Sequence, residues 1–265
     1  MKIIDKLRRV RSGLIRRFYA VRTRFARATT PGRDDDELLR ERIRSRINEL
    51  GKRYEDGNSD LIEHTYHPIP FPGFEKIKSH RTEMANRLLC IQRKLGDANG
   101  SWILDIGANV GFFAFSLAKE GYIVEAYELN SATFEIGAAL SKLFASNVVY
   151  INKAIGLKAV PYLRPHYKAV LMLSVFHWIV KQEGVDGATK LLAEIARRTD
   201  QIFFETPCSD SEGMFQHEIF NSQSSVEAYL SDALPKAKIS ILSKDESWGG
   251  RNLYSLDTSN CKGMA

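Results

Sequence analysis

The chain has 265 residues, of which 44% are hydrophobic and 26% are charged. These values are typical of a globular protein with a core of ordinary size, and they exclude a disordered chain. The longest apolar run, from Ala169 to Val180, is too short to cross a bilayer. The three cysteines lie far apart in the chain, which excludes a disulfide framework and a cysteine zinc site.

The net charge of +6 is concentrated at the start of the chain. Residues 1–28 hold ten Lys or Arg and one acid, Asp5, which leaves a net charge of −3 for residues 29–265. A deep nucleic-acid channel in the body of the protein would need a positive field of its own. This division of charge makes nucleic acid the less favoured partner.

Apolar residues at helical spacing predict an amphipathic helix in residues 1–28, the basic arm. The apolar stripe consists of Ile3, Leu7, Val10, Leu14, Phe18, Val21 and Phe25. One interpretation is a helix that lies in the headgroup layer of a membrane while its cations meet anionic lipids. Another is a helix docked on the body of the protein or on a partner. A transit peptide is a third, weakened by the presence of a single serine, and no secretory signal is expected.

Residues 29–80 are predicted to form a helical and proline-rich lead-in. Acids at positions 34–37 open a helix, because carboxylates favour the positive end of the helix dipole. Apolar residues at helical spacing continue this helix as far as Gly51.

Three prolines at alternate positions make residues 67–73 extended or turning. A further helix is predicted from about Glu75 to Leu95, leading into the body of the protein. His64 and His67 precede and begin the proline-rich stretch without a third ligand nearby in the sequence. This arrangement predicts surface histidines rather than a metal site.

From Ser101 onward, short apolar runs alternate with helical patterns. Strands are predicted at residues 102–106, 122–128, 148–152, 168–173 and 201–205, helices at 112–119, 132–144, 187–198 and 225–234, and a closing hairpin at 237–242 and 252–257. The predicted fold class is α/β: a Rossmann-like, doubly wound, mostly parallel sheet with a C-terminal antiparallel hairpin, preceded by N-terminal helices. This domain is predicted to span residues 81–265.

A glycine-containing turn, Asp105-Ile-Gly-Ala-Asn-Val-Gly111, joins the first strand to the next helix. Gly107 permits the tight turn and a close approach of the backbone to a ligand, and Gly111 lets the helix and strand pack. Glu128 ends the second strand, where a carboxylate can accept hydrogen bonds from both ribose hydroxyls of an adenosine. Dinucleotide enzymes have a second glycine where this chain has Asn109, so the pattern favours a cofactor without a pyrophosphate.

These residues resemble the class I methyltransferases that use S-adenosyl-L-methionine (SAM), which makes SAM the implied cofactor. The turn and the segment 152–156 are similar to FkbM-type methyltransferases, many of which modify sugars. The segment 173–180 and Glu205 resemble the methyltransferase half of WbdD-type enzymes, which terminate polysaccharide chains by phosphorylating and then methylating them. RNA 5′-phosphate methyltransferases carry a similar segment. The resemblance covers residues 81–257.

The resemblance also implies which residues hold the cofactor. These are Arg81 for the carboxylate, Asp105, Gly107, Ala108 and Gly111 for the methionine end, Glu128 for the ribose, backbone groups of Ala154 and Ile155 for the adenine, and Ser174 facing the transferred methyl group. The alternative for Arg81 is a solvated surface side chain.

Methyl transfer from a sulfonium needs positioning above all, and it needs a base only where the acceptor oxygen is protonated. His177 is the candidate base, because an unperturbed imidazole has a pKa near neutral pH. Its alternative role is a packed, hydrogen-bonded histidine. Glu205 is the second catalytic candidate, or a residue that holds a loop. No metal is expected, because Ser174 and His177 follow the fourth strand, where metal-dependent O-methyltransferases have an acid.

The sequence therefore predicts a SAM-dependent O-methyltransferase that acts on a surface glycan or a lipid-linked glycan precursor, with a terminal phosphate as one candidate acceptor. The expected partners are a glycan or phosphoglycan acceptor, an anionic membrane surface met by residues 1–28, and a separate kinase or glycosyltransferase. The expected location is cytoplasmic, peripheral on the inner face of the membrane. Two alternatives stay open: an RNA 5′-end or ribose methyltransferase, and a non-catalytic membrane- or protein-binding module.

Overall fold

The computed structural model describes residues 33–54, 64–79, 81, 84–208, 218–245 and 251–262. The chain divides into two compact units, Met1–Arg44 and Ser45–Ala265. The basic arm lies outside the described residues, so its amphipathic helix stays a prediction. The first unit is described only for residues 33–44, which form the beginning of a helix.

Six α-helices occur in the described parts of the chain. They are α1 (Arg33–Tyr54), α2 (Met84–Leu95), α3 (Phe112–Lys119), α4 (Ser131–Leu143), α5 (Phe176–Ala196) and α6 (Gln223–Ala233). None of these described helices is long and apolar enough to span a membrane.

Within the described residues, nine strands form two sheets. The bounds are β1 (His64–Thr65), β2 (Lys78–Ser79), β3 (Trp102–Ile106), β4 (Ile123–Tyr127), β5 (Val148–Ile151), β6 (Ala169–Leu173), β7 (Gln201–Glu205), β8 (Lys238–Asp245) and β9 (Arg251–Asp257). Strands β1 and β2 pair in parallel by themselves. The other seven form one sheet in the order β5-β4-β3-β6-β7-β9-β8, in which β9 runs in the opposite direction to the other six strands.

The order of the sheet reverses between β3 and β6. From β3 the chain moves outward to β4 and β5, and it then returns past β3 to form β6 and β7 on the other side. Because parallel crossovers are right-handed, helices of the two halves lie on opposite faces, which makes the sheet doubly wound. The crevice at the carboxyl ends of β3 and β6 is the point where open α/β sheets bind ligands.

The central strands are apolar on both sides. Leu104 and its neighbour Ile103 on β3 are fully buried, and so are Val170 and Leu171 on β6. Since successive side chains of a strand point to opposite faces, both faces of the sheet are covered. The predicted fold class is confirmed, including the parallel sheet and the closing hairpin.

The predicted elements agree closely with the structure in the body of the chain. Strand β3, helix α3 and strand β7 have the predicted bounds, β5 and β6 differ by one residue at one end, and β4 is shorter by one residue at each end. The helix predicted from Glu75 is wrong at its start, because Lys78–Ser79 is extended as β2 and α2 begins at Met84. Helix α5 begins at Phe176, eleven residues before the predicted start, with a non-helical kink at Gly184 that suggested a loop in the sequence.

Candidate active site

A tight turn follows β3 at the point where the sheet order reverses. Gly107, Asn109 and Gly111 all have left-handed backbone conformations, with φ of 74°, 53° and 95°. The N–H groups of Gly107 and Ala108 both donate to the carbonyl oxygen of Tyr127, at 2.9 and 3.0 Å. These bonds fasten the turn to the end of β4, so the two predicted halves of the cofactor site are adjacent.

The two glycines of the turn are needed for different close contacts. A Cβ on Gly107 would lie 2.9 Å from Cγ2 of Val175, so this glycine lets the loop after β6 approach the turn. A Cβ on Gly111 would lie 2.6 Å from the Phe115 ring and would also collide with the hydroxyl of Tyr150. Gly111 therefore lets α3 pack against β5, as its position in the sequence predicts.

The carboxylate of Glu128 lies against this turn. Its Oε2 accepts a hydrogen bond from the Asn109 N–H at 2.9 Å, and its Oε1 accepts one from the Asn130 N–H at 2.7 Å. Burial raises the pKa of Glu128, and the backbone N–H groups oppose that effect. Each carboxylate oxygen keeps further acceptor capacity, so the group can still receive the two hydroxyls of a ribose.

Leu129 presents an apolar surface directly beside Glu128. Its side chain is 65% exposed. Nδ2 of Asn152 donates to the carbonyl oxygens of Glu128 and Leu129, at 2.9 and 3.1 Å, and so holds this segment in place. Ala154 is half-buried and Ile155 is buried, both after β5. Their backbone contacts with an adenine stay a prediction.

Asp105, at the end of β3, is buried beneath the turn. Burial and the nearby charge of Glu128 raise its pKa to about 7. Its Oδ2 has no hydrogen-bond partner among the described residues. A buried carboxyl oxygen without a partner costs free energy, so this atom favours a donor from a ligand or a water.

Ser174 follows β6 in a strained conformation, with φ of 55°. Its N–H donates to the carbonyl oxygen of Glu205 at 2.8 Å, and its hydroxyl donates to Oε1 of the same residue at 2.6 Å. Nη1 of Arg251 donates to the Ser174 hydroxyl at 2.9 Å. These bonds tie together the carboxyl ends of β6 and β7 and the beginning of β9.

Three arginines surround the buried carboxylate of Glu205. Nε of Arg87 lies 2.9 Å from Oε2, whereas Nη2 of Arg81 and Nη1 of Arg251 lie 3.8 and 3.9 Å from Oε1. All four side chains are at most 11% exposed. Among the described residues, no group hydrogen-bonds to Nη1 of Arg81 or Nε of Arg251. Buried cations without full pairing favour an anion at this position.

Sequence reasoning found only part of this arginine cluster. Arg81 is buried, and it does not lie on the helix predicted from Glu75 to Leu95, since α2 begins at Met84. Its pairing with a cofactor carboxylate stays a prediction. Arg87 and Arg251 were missed. Arg87 could have been identified from the sequence, because its spacing from Met84 and Ile91 places it on the same face of a helix, and this face of α2 is buried.

The environment of His177 corrects the expectation of a pKa near neutral. The residue lies in the first turn of α5 and is only 5% exposed. Burial, with a smaller effect from the charge of Arg251, lowers its pKa to about 3. The ring contacts those of Trp178 and Phe220, with centroids 5.4 and 6.5 Å away. His177 is therefore neutral at working pH, a condition that agrees with a packed histidine.

A small cavity of about 10 Å³ lies beside the arginine cluster. Its lining includes Ser174 and Glu205 at the strand ends, Arg81 and Arg87, and His67 from the segment between β1 and β2. The prediction of a surface position for His67 is wrong, since this residue is 8% exposed. Among the described residues, no three His, Cys, Asp or Glu side chains are grouped so that they could hold a metal ion.

Comparisons with known proteins establish the fold. No protein-family model and no curated protein matches the chain. Among solved structures, WbdD is 20% identical with a TM-score of 0.59, over 74% of this chain and 45% of that one. EvdMO1 is 19% identical with a TM-score of 0.51, over 81% of this chain and 47% of that one. The chain thus spans less than half the length of either protein.

One matching structure covers a single domain. The N-terminal domain of EvdMO1, crystallised in the presence of SAH and D-fucose, is 17% identical with a TM-score of 0.53. The match covers 81% of this chain and 96% of that domain. WbdD is a bifunctional kinase-methyltransferase. At such low sequence identity, these similarities show only that the fold is shared.

Proposed function

We propose that this chain, whose fold is that of the class I SAM-dependent methyltransferases, is an O-methyltransferase acting on a surface glycan or a lipid-linked glycan precursor, at a terminal phosphate. The observation that carries the proposal is the carboxylate of Glu128, which is fastened to the glycine turn at the reversal point of the sheet. The kinase-methyltransferase WbdD and the EvdMO1 domain studied with D-fucose support the choice of a phosphorylated carbohydrate.

The residues around the turn fit SAM. Glu128 would receive the ribose hydroxyls, the exposed Leu129 would lie against the adenine, and the unpaired Oδ2 of Asp105 would accept a hydrogen bond near the methionine end. Asn109 stands where dinucleotide-binding turns have the second glycine that makes room for a pyrophosphate, so the turn favours a cofactor without one. When bound, SAM supplies an activated methyl group on its sulfonium.

The arginine cluster supports an anionic acceptor. Arg81 and Arg251 share the single charge of Glu205, and each keeps a guanidinium nitrogen with no hydrogen-bond partner among the described residues, which leaves an excess of positive charge next to Ser174. A phosphate oxygen would offset this excess, and the guanidinium groups would hold it in a fixed orientation for in-line transfer. Such an oxygen is already ionised, so the chemistry needs no base, which agrees with a neutral, buried His177.

A phosphorylated, lipid-linked acceptor implies two partners, an earlier enzyme and a membrane. A terminal phosphate must be added before it is methylated, so a separate kinase or glycosyltransferase would act first. The basic arm, residues 1–28, would bring the enzyme to an anionic membrane that carries the lipid-linked glycan. The location would then be cytoplasmic, at the inner face of the membrane.

Replacement of Glu128 by alanine tests the cofactor site. Hydrogen bonds to a charged group contribute about 1.5–3 kcal/mol each, so the Kd for SAM is expected to rise at least tenfold, as measured by calorimetry. The control is Glu135→Ala, which removes an exposed carboxylate paired with Arg46 at 3.1 Å and is expected to leave SAM affinity unchanged. Equal SAM affinity in Glu128→Ala and the wild type would contradict the ribose assignment. Tight NADH binding would place the protein in another enzyme class.

Transfer of labelled methyl groups tests the acceptor. The protein is incubated with [methyl-³H]SAM and lipid-linked glycans from cells that lack it, with and without phosphatase treatment. Label is expected in the untreated glycans and not in the treated ones. Label that survives phosphatase indicates a sugar hydroxyl, and label in RNA from the same cells supports the RNA methyltransferase instead. Intact SAM binding with no labelled product would support the non-catalytic alternative.

A further inference from the structure

His67 lies between the cofactor turn and the arginine cluster. Its ring packs edge-on against Phe113, two residues after Gly111, with centroids 6.0 Å apart. The hydroxyl of Thr65 donates to the His67 carbonyl oxygen at 2.6 Å, and the N–H of Arg81 donates to the carbonyl oxygen of Tyr66 at 3.1 Å. The segment that carries His67 is thus fixed to the same residues that line the cavity.

The His67 ring is a neutral hydrogen-bonding group in cationic surroundings. Burial, followed by the charges of Arg81 and Arg87, lowers its pKa to about 3. A neutral imidazole has one nitrogen that donates and one that accepts. Its Nδ1 is buried and has no hydrogen-bond partner among the described residues. With the ring proton on Nε2, Nδ1 keeps a lone pair that can accept a hydrogen bond.

The size of the cavity and its unpartnered polar atoms limit the chemical groups that it can hold. Its volume of about 10 Å³ admits one oxygen-sized group, about the space of a single water. Nη1 of Arg81 needs an acceptor, whereas a lone pair on Nδ1 of His67 needs a donor. A hydroxyl both accepts and donates, whereas an ionised oxygen or an ether oxygen only accepts.

We propose that His67 is a substrate-binding residue whose Nδ1 accepts a hydrogen bond from a hydroxyl of the acceptor, next to the anionic group held by the arginines. This inference rests on the proposed function, because the anionic group is taken to be the acceptor phosphate. His67 thereby determines specificity: an acceptor without that hydroxyl leaves a buried nitrogen unpaired, and it binds about tenfold more weakly.

Two small phosphates probe the site in the presence of saturating SAH. Glycerol 1-phosphate carries hydroxyls beside its phosphate, and propyl phosphate has the same carbon chain without them. For the wild type, glycerol 1-phosphate is expected to bind about tenfold more tightly, as measured by NMR titration. His67→Leu is expected to abolish this ratio, whereas His67→Asn, whose Oδ1 can replace Nδ1 as acceptor, is expected to retain it.

The controls separate binding from folding. Glu135→Ala alters an exposed side chain that does not line the cavity, and it is expected to keep the ratio. Melting temperature and SAH affinity identify any variant that fails to fold, and the wild-type ratio tests the idea without any variant. Equal binding of both phosphates by the wild type, or an unchanged ratio in a folded His67→Leu protein, overturns the role of His67 alone. If the wild type binds neither phosphate, the phosphate acceptor and this inference both fail.

Discussion

At the scale of single residues, the carboxyl ends of β3 and β4 hold two carboxyl groups that the protein disfavours in their charged form. Asp105 is buried, and its pKa is raised to about 7 by burial and by the charge of Glu128. An acid whose pKa is raised on folding is protonated in the native state at pH values where it is ionised in the unfolded chain. Its contribution to stability is therefore present at low pH and is lost as the pH rises towards 7.

Asp105→Asn is expected to remove this pH dependence. The neutral amide replaces the protonated acid at similar volume, so the variant is expected to be at least as stable as the wild type at pH 8. The measurement is the change in melting temperature between pH 5 and pH 8, which is expected to be less negative in the variant than in the wild type. An identical change in both proteins would contradict a raised pKa for Asp105.

The low pKa of His177 determines the expected effect of replacing it. Since its pKa lies at about 3, the ring does not titrate between pH 5 and pH 9, and it cannot produce a rise of activity near neutral pH. With an ionised acceptor, His177→Ala is expected to lower kcat less than about tenfold, through lost packing, and to leave the pH profile unchanged in shape. A loss of several hundredfold with SAM binding and folding intact would instead indicate a sugar hydroxyl with His177 as its base.

At the scale of elements, the path of the chain around the glycine turn decides where the site lies. The turn ends at Gly111, the N-cap of α3, whose φ is 95° and ψ is 27°. Helix α3 can approach β5 only because this position has no side chain. The close packing of helix and strand places the turn, and with it Asp105, at the edge of the crevice.

Gly111→Ala and Gly121→Ala form a matched pair that tests this packing. The two glycines have almost the same φ, 95° and 96°, so both alanines suffer similar backbone strain. A Cβ on Gly121 meets only Ala98, at 3.6 Å, whereas one on Gly111 overlaps Phe115 and Tyr150. Overpacking costs about 1–3 kcal/mol, so urea unfolding is expected to give a larger loss of stability for Gly111→Ala by that amount. Equal losses would show that the contact does not restrict the site.

At the scale of the whole molecule, positive charge and the proposed chemistry lie in different parts of the chain. Residues 1–28 carry a net charge of +9, whereas the rest of the protein carries −3. The cations near the site are a few buried arginines with a defined orientation, and they contribute little to a general attraction for polyanions. The arm is therefore the expected contact with an anionic surface.

Deletion of residues 1–28 is expected to lower binding to vesicles that contain anionic lipid and to leave SAM affinity unchanged. The measurement is co-sedimentation with anionic vesicles, and neutral vesicles serve as the control for charge. If the shortened protein still sediments with anionic vesicles, the membrane interpretation of the arm is wrong. If it becomes insoluble, the apolar stripe is a docking surface instead.

The parts of the site that could be predicted from the sequence are those that depend on nearby residues. The turn from Asp105 to Gly111 and the acid Glu128 were identified from sequence because they follow consecutive parallel strands, whose carboxyl ends meet at one edge. Hydrophobic periodicity is likewise local, so most strand and helix bounds were correct to within a few residues. The burial of His67 was not predicted, because it depends on elements that lie elsewhere in the chain.

Local signals in the sequence predict the alternation of strands and helices, the sheet type and the glycine turn, because these features depend on periodicity and on neighbours within a few residues. The folded chain alone shows that β9 is inserted between β7 and β8, which brings Arg251 to the end of β7. It also shows that Arg81 and Arg87 meet the same carboxylate of Glu205. A charged side chain carries no local signal of its partner, because its burial and pairing depend on how distant elements pack.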